Sequence, residues 1–320
     1  MKSYFIINLL FFTFLTYSSK TLAWGLLGHH TVAQVAQDIL TEQKSPALNE
    51  VKSILQDEDF VKSSTWADEI RDDKDSNWAH VIWYHFEKMD DSDKYIEHLK
   101  VMSVKDQQKG GVIEAILMCE KILKNKSSTL IEKKAALKFL IHFVADIHQP
   151  LHTGPKNDNG GNKTIVDWLG FKVTLHSVWD SQMIALGHKD IFSTGERQDQ
   201  VLKYATLLKN QFVQSQFKDE NSILYDEWIH ESLPVRINAY KYLQEDAEAY
   251  TKRFLPIIDQ RIFQAGYRLA FVLNKIFPGY KGENSPTDQS NINTMALKNS
   301  IEKIVGDLGL IIKLSPIPTR

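Results

Sequence analysis

Apolar residues recur every three or four positions along most of this chain, which is the spacing of helices with one buried face. The segments with this pattern are 29–40, 111–123, 132–148, 174–186, 221–243 and 246–277. Strand-like alternation is scarce, and the stretch GNKTIVDWLGFKVTLH indicates at most a short β-hairpin across Leu169-Gly170. Pro234 is expected to bend the helix that contains it. The pattern predicts an all-α fold.

The helical pattern begins only after residue 23. Lys2 precedes the apolar run YFIINLLFFTFL, and the stretch then ends in TLA, as in a secretory signal peptide. A transmembrane anchor is less favoured because a membrane span needs ~20 residues. We therefore expect cleavage between Ala23 and Trp24 and a secreted or periplasmic protein.

The chain divides into three parts under this interpretation. Residues 1–23 are the signal peptide and residues 24–280 form a single mainly helical domain. Residues 281–320 are a linker by composition, GENSPTDQSNINTM, and a C-terminal extension of unknown role. We expect a monomer without stable membrane association.

Charge and cysteine content narrow the chemistry. Removing residues 1–23 removes Lys2 and Lys20, which leaves 36 basic against 40 acidic residues. A protein that holds nucleic acid mainly through phosphate contacts is usually basic, so any phosphate binding here needs another source, such as metal. Cys119 is the only cysteine, which excludes an internal disulfide and zinc–thiolate sites. A metal site must use histidine and carboxylate.

Two His–Asp pairs have the spacing of one helical turn. His142 and Asp146 are four apart, and His176 and Asp180 repeat that spacing. Such pairs can hold zinc in a helical bundle. A buried histidine bonded to an aspartate one turn away is the more common explanation of either pair alone.

The residues after the first pair favour a metal site. In HFVADIHQPLH, Pro150 is expected to end the helix, so that His152 lies on the following loop. Three histidines and one aspartate within 11 positions are difficult to explain as packing. His148 lies about 240° round the helix from His142 and should face away, as a structural residue or one that orients a ligand.

Five upstream residues add to the candidates. In WADEIR, Asp68 and Arg71 share a helical face, although an ordinary amphipathic turn would look the same. In WYHF, His85 lies between aromatic residues, where a core histidine is the common alternative. His29 lies five residues after Trp24, whose free α-amine and carbonyl could chelate zinc after cleavage; the reference pKa of that amine is about 8.

Six motifs in order resemble the S1-P1 nuclease family of secreted, zinc-dependent, single-strand-specific nucleases. They are WGLLGH, WADEIR, WYHF, FLIHFVADIHQPLH, DNGGN and HSVWD, and WIHES near Trp228 is also similar. The resemblance covers Trp24 to at least Asp180. The absence of disulfides is more similar to bacterial members.

The resemblance implies a cleft with three zinc ions. The first ion would be held by Asp68, His85, His142 and Asp146. The second would be held by the Trp24 amine and carbonyl, His29 and a bridging Asp146. The third would be held by His152, His176 and Asp180.

The resemblance also implies an activity. Zinc would activate water for in-line attack on phosphorus, with Asp68 orienting the nucleophile and Arg71 stabilising charge on the phosphoryl oxygens. Phe86 would stack a base and Asn162 would lie near the scissile phosphate, although a core position and a Gly-rich turn are the respective alternatives. Substrates would be single-stranded DNA or RNA, cleaved to 5′-phosphorylated products, and 3′-nucleotides.

Two other functions remain open at this point. A zinc phospholipase C would share the helical fold, the amino-terminal Trp and three metals, and an exposed apolar rim would favour it. A non-catalytic helical protein with structural zinc is the third interpretation. HQPLH followed by GGN favours the nuclease.

Overall fold

The computed structural model describes residues 24–72, 79–89, 111–154, 157–213 and 225–278. The expected signal peptide, 1–23, and the expected extension, 281–320, lie outside the described residues. Within the described ranges the fold is mainly helical with one two-stranded sheet, which confirms the predicted class. None of the helices in these ranges is both long and apolar enough to cross a bilayer.

The described chain contains the following elements in order. The helices are α1 (Leu26–Glu42), α2 (Pro46–Leu55), α3 (Trp66–Asp72), α4 (Val112–Lys124), α5 (Leu130–Asp146), α6 (Leu175–Ser177), α7 (Met183–Gly187), α8 (Lys189–Phe192), α9 (Arg197–Gln211), α10 (Tyr225–Lys241) and α11 (Ala247–Ile276). The strands are β1 (Ile165–Trp168) and β2 (Phe171–Thr174). Short 3₁₀ turns cover Lys62–Thr65, Ala79–His85 and Pro150–Thr153, and a π-helical turn covers Val178–Gln182.

Helix α5 is the central element because its last three turns are buried on every side. All residues from Ala135 to Asp146 are buried, which is typical of a helix that crosses a core rather than covering it. Its start is fixed by a capping box, in which Thr129 and Glu132 satisfy each other's backbone N–H groups. Any polar side chain in the last turns of α5 therefore lies inside the protein.

The segment predicted as one helix over 174–186 is broken. A π-helical turn separates α6 from α7, and Asp180 lies within it. Such turns occur mostly as single insertions, often at functional sites. By contrast, α10 continues through Pro234, and the predicted hairpin is present, with positive φ at Leu169 and Gly170 as a type I′ turn requires.

Helix α11 is joined to α10 and to the end of α5 by charged side chains, of which Arg261 and Arg268 are buried. Arg261 and Arg268 each donate hydrogen bonds to Glu231 of the WIHES motif, at 2.6 and 2.7 Å. Arg268 Nη1 also donates to His148 Nε2 at 2.9 Å. Because a guanidinium only donates, His148 carries its proton on Nδ1 and gives it to the Val144 carbonyl. His148 thus faces away from the aspartate of its helix, as its position predicted.

Helices α1 and α11 cross closely at Gly266. A Cβ atom there would lie 2.6 Å from the Val35 side chain and 2.8 Å from the Val32 carbonyl oxygen. We expect Gly266→Ala to lower the free energy of unfolding by about 1–3 kcal/mol through overpacking, despite the better helix propensity of alanine. Thermal melting compares it with Gln260→Ala, an exposed change in the same helix. A melting temperature at or above wild type would contradict this packing argument.

Candidate metal centre

Three groups of buried histidines and aspartates lie at or near the end of α5. Their donor atoms lie within 4.8 Å of one another in each group. The first group is Asp68, His85 and His142, the second is His29, His142 and Asp146, and the third is His152, His176 and Asp180. Every one of these residues was a candidate from sequence, and the structure brings them together from six separate segments.

The first group has the dimensions of a four-coordinate metal site. Asp146 Oδ2 lies 3.0 Å from His85 Nδ1 and 3.2 Å from His142 Nε2, and those two nitrogens are 3.0 Å apart. Asp68 Oδ1 lies 3.7 Å from each nitrogen. Ligand atoms of a tetrahedral zinc site with ~2.0–2.1 Å bonds are roughly 3.3–3.4 Å apart. The four donors therefore match such a site without rearrangement of the backbone.

Asp146 also faces the second group with its other oxygen. Its Oδ1 lies 3.4 Å from His29 Nε2, whereas its Oδ2 faces His85 and His142. Neither Asp146 Oδ1 nor His29 Nε2 has a hydrogen-bond partner among the described residues, although both are fully buried. Buried polar atoms normally have partners, so two opposed lone pairs without one fit a shared cation.

The third group lies on the loop after α5 and at the start of the broken helix. His176 Nε2 and Asp180 Oδ2 are 3.3 Å apart, and the rings of His152 and His176 stack at 5.2 Å. Gln149 donates a 2.7 Å hydrogen bond to Asp180 Oδ1 and so fixes the carboxylate. Gln149 is a site residue that sequence patterns did not predict, and only its place between two motif histidines indicates such a role.

Backbone carbonyls orient three of the histidines. The Nδ1–H groups of His142, His152 and His176 donate to carbonyls, as follows: His142 to Ser64, His152 to His85 and His176 to Gly160. A carbonyl only accepts, so the proton is on Nδ1 and the lone pair of Nε2 is free to bind metal. This arrangement is common for histidines that ligate metals.

Burial shifts the pKa values of the aspartates and histidines of the centre toward their neutral forms. It raises the pKa of Asp68 to about 6 and those of Asp146 and Asp180 well above the usual range. It lowers the pKa of His176 to about 4 and those of His29 and His85 well below their ordinary value. Histidines kept neutral by burial retain the lone pairs that a metal needs, and the carboxylates favour a nearby cation.

Trp24 lies against the end of α5. It is fully buried, and its indole N–H donates to the carbonyl of Ala145, the residue before Asp146, at 2.9 Å. The next residue, Gly25, donates its N–H to the Asp180 carbonyl and accepts from His29 N–H. The chain segment that contains Trp24 is therefore packed between the second and third groups.

A cleft of about 740 Å³, including its solvent-filled mouth, opens onto the centre. Its lining includes His85, His152 and His176 together with Arg71 and Phe86. The Arg71 guanidinium reaches it while paired with Asp68 at 2.7 Å. Sequence-predicted metal and substrate residues thus meet at one surface opening.

The DNGGN motif forms a turn that also lines this cleft. Gly160 and Gly161 have φ of +63° and +83°, which residues with side chains rarely adopt. Asn162 lines the cleft, and its Nδ2 donates to the Asn159 carbonyl, while Oδ1 has no partner in the described part of the chain. Asn162 is therefore both a residue of a Gly-rich turn and a residue of the cleft.

Comparison with known proteins agrees with this geometry. The sequence profile of the S1/P1 Nuclease family matches residues 24–278. Endonuclease 2 of Arabidopsis thaliana is 26% identical over 300 residues, which is 86% of this chain and 98% of that protein. Nuclease P1 of Penicillium citrinum is 32% identical over 50% of this chain and 58% of its own length. Nuclease S1 of Aspergillus oryzae is 33% identical over 53% of this chain and 57% of its own length.

The number of metal ions that Asp146 and Asp180 each bind can be tested by measuring the metal content of variants. Asp146→Ala removes a donor shared by two groups and should lower bound metal by about two ions per chain, whereas Asp180→Ala should lower it by about one. Elemental mass spectrometry after dialysis against zinc measures this difference. Equal losses in the two variants would show that Asp146 does not serve two ions.

Proposed function

Because this chain belongs to the S1/P1 nuclease family and is thus a phosphodiester hydrolase, we propose that it is a zinc-dependent endonuclease for single strands. Its substrates are DNA or RNA, cleaved to 5′-phosphorylated products, and it also hydrolyses 3′-nucleotides. The observation that carries the proposal is the cleft that joins three His–carboxylate groups to Arg71 and Phe86.

The donors fit zinc because they are imidazoles and carboxylates in compact, buried groups. The ligands are Asp68, His85, His142 and Asp146 for one ion; Trp24, His29 and Asp146 for a second; and His152, His176 and Asp180 for a third. Bound zinc supplies Lewis acidity, which makes water a nucleophile near neutral pH and stabilises a leaving oxygen.

Asp68 and Arg71 act on the reacting phosphate from one face of α3. Asp68 accepts a hydrogen bond from the attacking water and so orients it. Arg71 is 8% exposed and is held between Asp68 and Asp72, whose oxygens lie 2.7 and 3.1 Å from its nitrogens. A guanidinium fixed in this way before substrate binds stabilises charge on the phosphoryl oxygens without further reorganisation.

Phe86 stacks a base at the mouth of the cleft. Its ring lines the cleft, with the Trp83 ring edge-on at 6.1 Å and the Lys88 ammonium 5.1 Å from its centre. Stacking on aromatic rings contributes about 1–3 kcal/mol per base and tolerates any sequence. Duplexes hide the faces of their bases, so this contact favours single strands. Asn162, which lines the same cleft, contacts the substrate close to the scissile phosphate.

Export and activation are one event in this proposal. Residues 1–23 direct secretion, and cleavage after Ala23 leaves the α-amine of Trp24 as a ligand for the second ion. The position of Trp24 beside Ala145 and the start of α1 supports this role. An uncleaved chain has an amide nitrogen at Trp24, which does not bind zinc in this way.

An assay of substrate classes tests the activity. Purified protein beginning at Trp24 is offered single-stranded DNA, RNA, a duplex of the same sequence and phosphatidylcholine vesicles, with zinc or with a chelator. We expect zinc-dependent cleavage of both single strands, slower cleavage of the duplex and 5′-phosphate ends. Hydrolysis of lipid alone would instead establish a phospholipase C, and metal-dependent folding without hydrolysis would establish a structural role.

The variant Asp68→Asn keeps the shape of the side chain but loses its negative charge. We expect it to bind metal poorly and to reduce kcat/KM at least about 100-fold, because one change removes a ligand and the group that orients water. Full activity in a correctly folded Asp68→Asn protein would refute both roles.

A protein with one extra residue before Trp24 tests the amino terminus. The added residue converts the α-amine to an amide, so about one ion should be lost and activity should fall at least about tenfold. Intact-mass measurement confirms the extension, and metal content and cleavage rate are compared with the protein that begins at Trp24. Undiminished activity with the extension intact would remove Trp24 from the ligand set.

A further inference from the structure

Helix α10 carries two polar side chains, one turn apart, that point into the protein and have no part in the proposed chemistry. Arg236 is 1% exposed, and Tyr240 is half-buried four residues later. Residues four apart on a helix share one face. Each of these side chains bonds to a segment that lines the cleft.

Arg236 bonds to two of those segments at once. Its Nη1 donates to the Met89 carbonyl at 2.9 Å and to the Thr153 carbonyl. Met89 lies three residues after Phe86, and Thr153 follows His152. The same two segments already meet at Glu87, whose N–H donates to the His152 carbonyl at 2.8 Å. Arg236 therefore adds a second connection between the segment that carries Phe86 and the segment that carries His152 of the third metal group.

Tyr240 bonds to the Gly-rich turn that carries Asn162. Its hydroxyl donates to Asp158 Oδ2, and Asp158 also accepts from Gly161 N–H at 2.9 Å and from the Thr164 hydroxyl at 3.0 Å. These bonds hold the turn that carries Asn162. One face of α10 thus holds the wall with Phe86 and the wall with Asn162.

We propose that Arg236 and Tyr240 are positioning residues that set the distance between the segment with Phe86 and the turn with Asn162, and thereby the affinity for a nucleotide that contacts both. This inference rests on the proposed function. Stacking and phosphate contacts act together only if their separation is held, and small misplacements are costly for binding and reaction. The donors of the first two metal groups come from α1, α3, α5 and the turn ending at His85, so these ions do not depend on Tyr240.

A double-mutant cycle with Tyr240→Phe tests the proposal. The change removes one hydroxyl and keeps the ring, and we expect KM for a single-stranded oligothymidine to rise about threefold to tenfold, the effect of one lost hydrogen bond. The values of kcat and metal content should stay within about twofold of wild type. Cleavage of an oligomer with abasic sites should be unaffected, because it has no base to place.

The same substitution in a Phe86→Ala background is decisive. If Tyr240 acts through the placement of a stacked base, Tyr240→Phe should raise KM little once the ring of Phe86 is gone. Arg236→Lys, which retains the charge but loses the planar guanidinium whose Nη1 donates to both carbonyls, should give the same pattern if it folds. Ile237→Ala, an exposed change on α10, is the control and should leave KM unchanged.

The outcomes separate the two hypotheses. Equal effects of Tyr240→Phe with and without the Phe86 ring, or equal losses on normal and abasic oligomers, would reduce Tyr240 to a structural residue and overturn the positioning role. Wild-type protein that cleaves no oligomer would overturn the proposed function itself, and the positioning role with it.

Discussion

The buried carboxylate of Asp146 is the constraint on which the rest of the structure depends. An ionised carboxylate without contact to water is very costly unless a cation and well-directed donors compensate it. Burial raises the pKa of Asp146 and lowers the pKa of His29 and of His85, which favours a bound cation over imidazolium as the compensating charge. Side chains from α1, α3 and the turn ending at His85 converge on the last turn of α5 around this carboxylate.

The metal centre also explains how a mildly acidic protein can act on a polyanion. A basic surface would bind phosphate everywhere and favour duplexes as much as single strands. In the proposed function, the charges that meet phosphate are the metal ions and Arg71 in one cleft, and the ring of Phe86 selects unstacked bases. Affinity and strand selection are thus separated between metal and ring, and neither depends on the net charge of the chain.

The supporting polar networks are divided between stability and placement. Glu231, Arg261, Arg268 and His148 join α10 and α11 to the end of α5, and they have the satisfied geometry expected of a structural network. Arg236 and Tyr240 lie on the same α10 but contact loops that line the cleft. His148, which lies close in sequence to the predicted ligands, belongs to the first network, because its side chain points away from Asp146.

The sequence by itself determined which segments are helical and the direction of side chains along each one. The three-to-four spacing located α1, α4, α5, α10 and α11, and the His142–Asp146 and His176–Asp180 pairs follow from one helical turn. Pattern alone did not single out α2 or α9, nor the π-helical turn at Asp180. Periodicity did not show that His29 and Asp68 meet the α5 pair or that Asp146 faces two groups, which the family resemblance implied. Only the folded structure shows that Gln149, Asp158, Arg236 and Tyr240 support the site. The reason is physical: periodicity determines which face of a helix is buried, whereas the meeting of faces distant in sequence depends on how all the helices pack together.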